Sequence, residues 1–277
     1  MLSEKATLGD FVAQIYLPFY RRKWKDSTAG TNEQRLRSHV LSEFSARTLG
    51  SFTRNELQDF LDRKASAGLS FYFVDHLRWD LRQIFRLATE EGYLPRNPAA
   101  LLFTPGRAAR FDKRQMSREE VRLFFSVLDL RERLIGGLAI LAGMRPGELF
   151  ALKWEHLAGD HADVRQRIYK GKVDSPKTVR SVRTVGFPQG LQEWTRHWRS
   201  DSIDPTPDAW VFPSERMKTP VTKDNCWRRH FLPKLQTVGL GWINFQVMRR
   251  THASLMRDLD IDPKIVADQL GHSWMST

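Results

Sequence analysis

The sequence is short of several things at once. It has one cysteine, Cys226, in 277 residues, which excludes an internal disulfide and fits a reducing, cytoplasmic setting. No base pattern surrounds Cys226, so it reads as a small helical residue near Trp227 rather than a reactive thiol. No apolar run is long enough to span a bilayer, and Met1-Leu2-Ser3-Glu4-Lys5 lacks the apolar region of a signal peptide. A membrane is therefore not expected as a partner. Metal-ligand spacing is missing too: His156 and His161 have no third partner, and no carboxylate triplet stands near them. There is no glycine-rich nucleotide loop, internal repeat or low-complexity tract. The expectation is a protein without metal or cofactor.

Negative charge is also scarce. Asp and Glu number 32 against 44 Lys and Arg, a net charge of +12. A folded, non-secreted chain this basic most often meets nucleic acid. An anionic membrane surface is the lesser option, because no basic amphipathic anchor stands out. Hydrophobic residues at 41% and aromatics at 11% suffice for a packed core, and the length suits two domains.

Helical periodicity fills the first hundred residues. Thr7-Leu8-Gly9-Asp10 and Thr53-Arg54-Asn55-Glu56 resemble capping boxes ahead of apolar segments. The strongest pattern runs from about Phe71 to Glu91, where Phe73, Val74, Leu77, Leu81, Ile84, Phe85 and Ala88 form one stripe and Gly92 supplies the stop. On another face Arg78, Arg82 and Arg86 recur every fourth residue. Like charges at that spacing repel, so the row is either a solvated face or a row of phosphate contacts.

Residues 104–114 lose all periodicity. The stretch is basic and punctuated by Pro and Gly, a linker by composition that carries Arg107, Arg110, Lys113 and Arg114. Ser117-Arg118-Glu119-Glu120 is a third capping box. The chain is thus divided into a helical domain (1–103), a linker (104–115) and a mixed α+β domain (116–277). In the last part a helix over 134–141 is stopped by Gly143. Val164, Ile168 and Tyr169 suggest a strand, 171–175 a turn, and Val179, Val182 and Val185 the return strand. Helices resume near 222–238, 246–259 and 263–270. The fold class is mainly α with a small antiparallel β-sheet.

Some basic residues look placed. In Gly143-Met144-Arg145-Pro146-Gly147-Glu148-Leu149, Pro146 suits the first position of a helix. Arg145 then stands at a helix N-terminus, which favours an anion and not a second cation. It makes sense if a phosphate shares the site, with Glu148 orienting the guanidinium. The hairpin carries Lys172, Lys177, Arg180 and Arg183, and a solvated tip is the bland reading for Lys172 and Lys177. In Phe245-Gln246-Val247-Met248-Arg249-Arg250-Thr251-His252, the residues Gln246, Arg249 and Arg250 lie within one turn of a helix start. His252 belongs with Phe245 and Met248 on the inward face. His272 follows a glycine break at Gly271. What remains is a set of donors for an oxyanion.

In this order the stretches resemble the tyrosine recombinase, or phage integrase, family. Gly143 to Leu149 looks like its first-arginine motif and Ser175-Pro176-Lys177-Thr178 like its lysine hairpin. Arg249 to Ser254 looks like its second-arginine motif, and Leu270-Gly271-His272-Ser273 like its third box. The resemblance implies a helical, SAM-like core-binding domain and a DNA breaking–rejoining catalytic domain. It implies double-stranded DNA as partner and, where the C-terminal segment is complete, a homo-tetramer on it. By position, Arg145 and Arg249 would hold the scissile phosphate, Lys177 would protonate the 5′-oxygen, His272 would donate to a phosphate oxygen, and Glu148 would support Arg145. Gln246 stands where the family usually has histidine or lysine, and glutamine cannot titrate. The family's nucleophilic tyrosine follows the Leu-Gly-His-Ser box. Tyr16, Tyr20, Tyr72, Tyr93 and Tyr169 stand elsewhere, so the expectation is a chain truncated before its nucleophile. Arg145, Lys177, Arg249 and His272 are expected to converge on one anion site.

Overall fold

Local rules fix where the helices begin. In the computed structural model, which describes residues 6–169, 171–174 and 182–271, Thr53 and Ser117 head full capping boxes with Glu56 and Glu120. Ser70 caps the longest helix by accepting from the N–H of Phe73. The chain divides into two units, Met1–Asp112 and Lys113–Thr277, each with its own apolar core.

The first unit is helical. We label α1 the run over 8–21, which contains a wide turn at Val12–Tyr16, and α2 the run over 26–44, with a similar turn at Leu36–Leu41. Helices α3 (Arg54–Ser66) and α4 (Phe71–Glu90) complete it. The apolar stripe of α4 is buried through Val74, Leu77, Leu81, Ile84, Phe85 and Ala88. Asp80 lies on that buried side as well, held by both oxygens to Arg35 of α2 at 2.6 and 2.8 Å.

The second unit is built around α6 (Leu130–Ile140), which follows α5 (Arg118–Ser126). Leu134, Ile135, Leu138, Ala139 and Ile140 are all fully buried. Helices α8 (Gln189–Ser200) and α10 (Phe245–Asp258) pack on α6. Between them come a single turn, α7 (Pro146–Leu149), and four short strands, β1 (His161–Val164), β2 (Arg167–Tyr169), β3 (Lys172–Asp174) and β4 (Arg183–Gly186). A helical run over 223–237, α9, and the helix α11 (Pro263–Leu270) finish the unit.

The strands correct the sequence reading. One hairpin was expected, with 171–175 as its turn. The structure has two antiparallel pairs, β1 with β4 and β2 with β3. The turn is tighter than expected. Gly171, at φ +78°, comes directly before β3, so Lys172 already belongs to that strand and pairs with Tyr169. Val185 faces Ala162 across the other pair, and both are fully buried. That burial sets the register.

Residues 104–115 are irregular but not loose. Phe71 N–H donates to Ala109 O, Arg78 Nε to Thr104 Oγ1, and the Arg110 guanidinium lies 3.9 Å from the Phe71 ring centroid. On the other unit, Met116 N–H donates to Thr251 Oγ1 and Gln115 to Ser254. Each end of the stretch is therefore tied to its own unit. Among the described residues no helix is long and apolar enough to cross a membrane.

Candidate oxyanion site

The site is assembled around the C-terminal end of α11. An α-helix ends with carbonyls that have no partner within the helix, and with the negative end of its dipole. Here three arginines from three elements supply the partners. Arg183 Nε on β4 donates to Gln269 O at 2.6 Å. Arg249 Nη2 on α10 donates to Leu270 O. Arg145 Nη2, just before α7, donates to Gly271 O at 3.1 Å. Gly271 makes this approach possible. Its φ is +63°, and a Cβ there would lie 3.2 and 3.3 Å from the Nη1 atoms of Arg183 and Arg145.

One carboxylate serves two of these arginines. Glu148, 4% exposed, accepts from Arg145 Nη1 at 2.8 Å and from the Arg145 N–H at 3.0 Å. It also accepts from both terminal nitrogens of Arg183, at 3.2 and 2.9 Å. Burial alone would raise the Glu148 pKa. The bonds from Arg183 and Arg145 outweigh it and hold the carboxyl below its usual range.

Arg249 is enclosed as well. Its Nη1 donates to Gly143 O, at the turn that ends α6. Burial first, and then the neighbouring positive charge of Arg145, push its pKa down to about 9. Arg249 still carries its charge at neutral pH, but at a cost that a bound anion would relieve. Three guanidiniums and one carboxylate leave two positive charges at a partly enclosed turn. That arrangement has the charge and the donors that an oxyanion needs.

The source of the anion affinity differs from the sequence reading. Arg145 does precede a helix start, but α7 is a single turn of four residues, too short for much dipole. The guanidiniums carry the charge. Next to them, His252 is fully buried with Nδ1 3.0 Å from Ile140 O. Burial lowers its pKa, so it is a neutral packing residue against Gly143.

The other expected residues scatter. Gln246 is exposed, one turn before Arg249 on α10, where Asn244 Oδ1 caps the helix by accepting from its N–H. Lys177 and His272 lie outside the described residues, as does Arg180. Lys172 is exposed on β3. Arg250 is half-buried and donates to Arg114 O at 3.2 Å. Arg114 itself pairs with Glu120 and lies 3.5 Å from the Trp242 ring centroid. Arg107 donates to Asp62 O, whereas Arg110 and Lys113 have exposed side chains. The arginine row of α4 is not the uncompensated set its spacing suggests. Arg78 pairs with Asp75 at 2.8 Å, and Arg86 donates to Tyr20 Oη and lies 3.8 Å from Glu90. Arg82 is exposed.

Arg183 is the residue that the sequence reading passed over. It was grouped with the hairpin cations, yet only 7% of its side chain is exposed. The available signal was alternation. Arg183 shares a strand face with the buried Val185 two residues on, and an inward arginine requires a carboxylate.

This chain belongs to the phage integrase, or tyrosine recombinase, family. The model described as the phage integrase family matches residues 113–277, and that of the phage integrase N-terminal SAM-like domain matches residues 7–65. A tyrosine recombinase XerC-like protein of Caldanaerobacter subterraneus subsp. tengcongensis is 24% identical over 306 aligned residues, covering 99% of this chain and 78% of the relative. The ICEBs1 integrase of Bacillus subtilis is 24% identical, covering 87% of this chain and 69% of its own length. The Tn1549 transposon integrase, solved in complex with a circular intermediate DNA, has the same fold at a TM-score of 0.80 and 17% identity, over 97% of this chain and 92% of that one. A lambda integrase tetramer bound to a Holliday junction gives a TM-score of 0.75 at 17% identity, over 99% of this chain and 79% of that one.

Proposed function

We propose that this protein is a site-specific DNA recombinase or integrase of a mobile element, in which the phosphate held by Arg145 and Arg249 passes from the 5′-oxygen to the hydroxyl of the tyrosine that the family carries after its Leu-Gly-His-Ser box, a residue that positions 1–277 do not supply there, and back again on rejoining. One observation carries the reading: guanidiniums from α10 and from the start of α7 meet at the same turn, with Glu148 shared beside them. In this reading the two arginines bind the non-bridging oxygens and stabilise the charge that develops in the pentacoordinate transition state, work that metal ions do in other phosphoryl enzymes. Lys177 acts as general acid for the 5′-oxygen and His272 donates to a phosphate oxygen. Glu148 orients Arg145, and Gln246 hydrogen-bonds without moving a proton. The partner is double-stranded DNA, on which the protein assembles as a homo-tetramer where its C-terminal segment is complete, in the cytoplasm, at the nucleoid. Arg82, Arg86, Arg107, Arg110, Lys113, Arg114, Lys172 and Arg250 add charge along the DNA path, and Arg78 acts through its neighbours. The complexes of the Tn1549 and lambda integrases with DNA support this choice of partner.

A second reading is a non-catalytic DNA-binding remnant of an integrase lacking its nucleophile, and Gln246 favours it too, because proton transfer by a positioned side chain is typically worth about 10²–10⁴-fold. Selection of binding sites from a random duplex library, followed by a nicked substrate carrying the selected site, separates the two. Strand cleavage in the presence of a chelator, abolished by R145A, is the expected result once the family's tyrosine-bearing helix is joined after Thr277. Salt-sensitive binding with no cleavage assigns the second reading. Absence of DNA binding at low salt overturns both.

A further inference from the structure

Arg145 faces an electrostatic difficulty that its own motif does not solve. Glu148 grips it twice, through the backbone N–H and through Nη1. A buried carboxylate that orients an arginine so closely also cancels its charge, and a cancelled arginine is a poor ligand for phosphate. The second ion pair on Glu148 resolves this. Arg183 takes both carboxylate oxygens with its two terminal nitrogens. The same guanidinium reaches with Nε to Gln269 O, two residues before the Gly271 turn. Its own backbone is the first residue of β4, just after the segment that carries Lys177.

We propose that Arg183 is a positioning residue of the oxyanion site: it neutralises Glu148 so that Arg145 keeps its charge for the phosphate, and it ties β4, α7 and the end of α11 to one another. This rests on the reading of Arg145 and Arg249 as phosphate ligands. It adds a third arginine whose side chain does not need to touch the anion. Three roots, those of the segments holding Lys177, Arg145 and His272, meet on one planar group. Arginine has donors for the two-oxygen grip and for a third acceptor on another edge, so R183K should keep the charge that phosphate affinity reads while giving up part of the tie, seen as a lower melting temperature without phosphate.

The charge account makes a prediction that packing alone does not. Removing Arg183 leaves Arg145 and Arg249 opposed by Glu148, so one positive charge is lost. Removing Glu148 as well restores the two charges of the parent. The probe is inorganic phosphate, with affinity read from the shift in melting temperature of the full chain against phosphate concentration at constant ionic strength. R145A tests the underlying reading, and loss of phosphate binding in R145A is expected. R183M is expected to weaken phosphate by about tenfold, the order of one charge-assisted contact. R183K, which keeps the charge, is expected to stay within about threefold of the parent on the same scale. E148Q/R183M is expected to return to within about threefold of the parent as well. If R183M does not fold, the E148Q/R183M pair, which buries no unpaired carboxylate, carries the test against the parent.

The outcomes separate. Unchanged phosphate affinity in R145A overturns the reading of the site, and this proposal with it. Loss in R145A with parental affinity in R183M overturns the role of Arg183 alone. A double variant as weak as R183M, or R183K as weak as R183M, shows that Arg183 acts by packing and also overturns it.

Discussion

Gly143 and His252 touch so closely that a methyl group added to the glycine would come within 2.7 Å of the imidazole Cδ2. The glycine also has φ +64°, and its carbonyl is an acceptor for Arg249. Backbone handedness and side-chain packing thus exclude the same atom, at the turn that presents one of the site arginines.

The first prediction follows from that contact. G143A combines a left-handed residue with an overpacked core, and should cost about 2–4 kcal/mol of unfolding free energy. Gly190 in α8 has nothing within 4 Å of an added Cβ, so G190A should be neutral or stabilising by up to about 1 kcal/mol. Urea titrations of both variants check the pair. Equal midpoints would show that the contact with His252 yields without cost.

A second prediction concerns pH. Burial lowers the pKa of His252 from an ordinary 6.5. Its folded form therefore takes up a proton less readily than its unfolded form. The stability tied to the neutral imidazole is present above that ordinary value and is lost as pH falls below it. His156 and His230 in the same unit are lowered by burial too and act in the same direction. Denaturation midpoints of the parent should fall as pH is lowered from about 7.5 to about 5.5 (a window of about one unit on either side of the usual histidine value). H252M should be less stable at pH 7 but have a shallower slope. A slope unchanged by H252M would remove His252 from the explanation.

The third prediction tests the ion pair inside the first unit. Arg35 and Asp80 have side chains only 11% and 9% exposed. Burial pushes the Asp80 pKa up while Arg35 pulls it down. Deleting one partner strands a buried charge, so R35M should cost roughly 3–5 kcal/mol. R35M/D80L, which replaces both with apolar groups, should recover most of that loss. A double variant no more stable than R35M would mean that the pair is held by its shape and not its charge.

The fourth prediction divides the arginine row of α4. If the row follows DNA, exposed Arg82 should contribute one phosphate contact, and R82A should reduce the slope of log affinity against log salt by about 1. Arg78 is committed to Asp75 and Thr104, so R78A should lower the melting temperature of the first unit and barely change the slope. Anisotropy titrations at several salt concentrations read both. Identical slopes for R82A and the parent would make the row a solvated face.

Residues with strong local rules were legible in the sequence. Thr53 and Ser117 announce helices because their capping partners lie three residues away. The stripe of α4 is long enough for its period to be unmistakable. Arg145 and Arg249 stood out because their neighbours made a motif. The strands were placed roughly but their pairing was not legible, because three or four residues are too few for alternation to declare a register. It is the burial of Ala162, Val164 and Val185 that selects β1 with β4. Arg183 was hidden for the same reason, since its inward face is defined only once that pairing exists. The docking of residues 104–115 was hidden because isolated hydrogen bonds and one cation–ring contact hold it, and those leave no period.

The three arginine–carbonyl contacts also set a time order for the protein. They join positions 126, 86 and 21 residues apart in the chain, and the Arg249 bond to Gly143 closes 106 residues. Nothing local can form this site in advance, and contacts of such separation are made late in folding. During synthesis, a chain emerging from the ribosome at about 5–20 residues per second exposes Arg145 well before residue 271 leaves the tunnel. Until then its arginines have no common turn to meet at. The shared turn therefore exists only once α11 has closed on α7, β4 and α10.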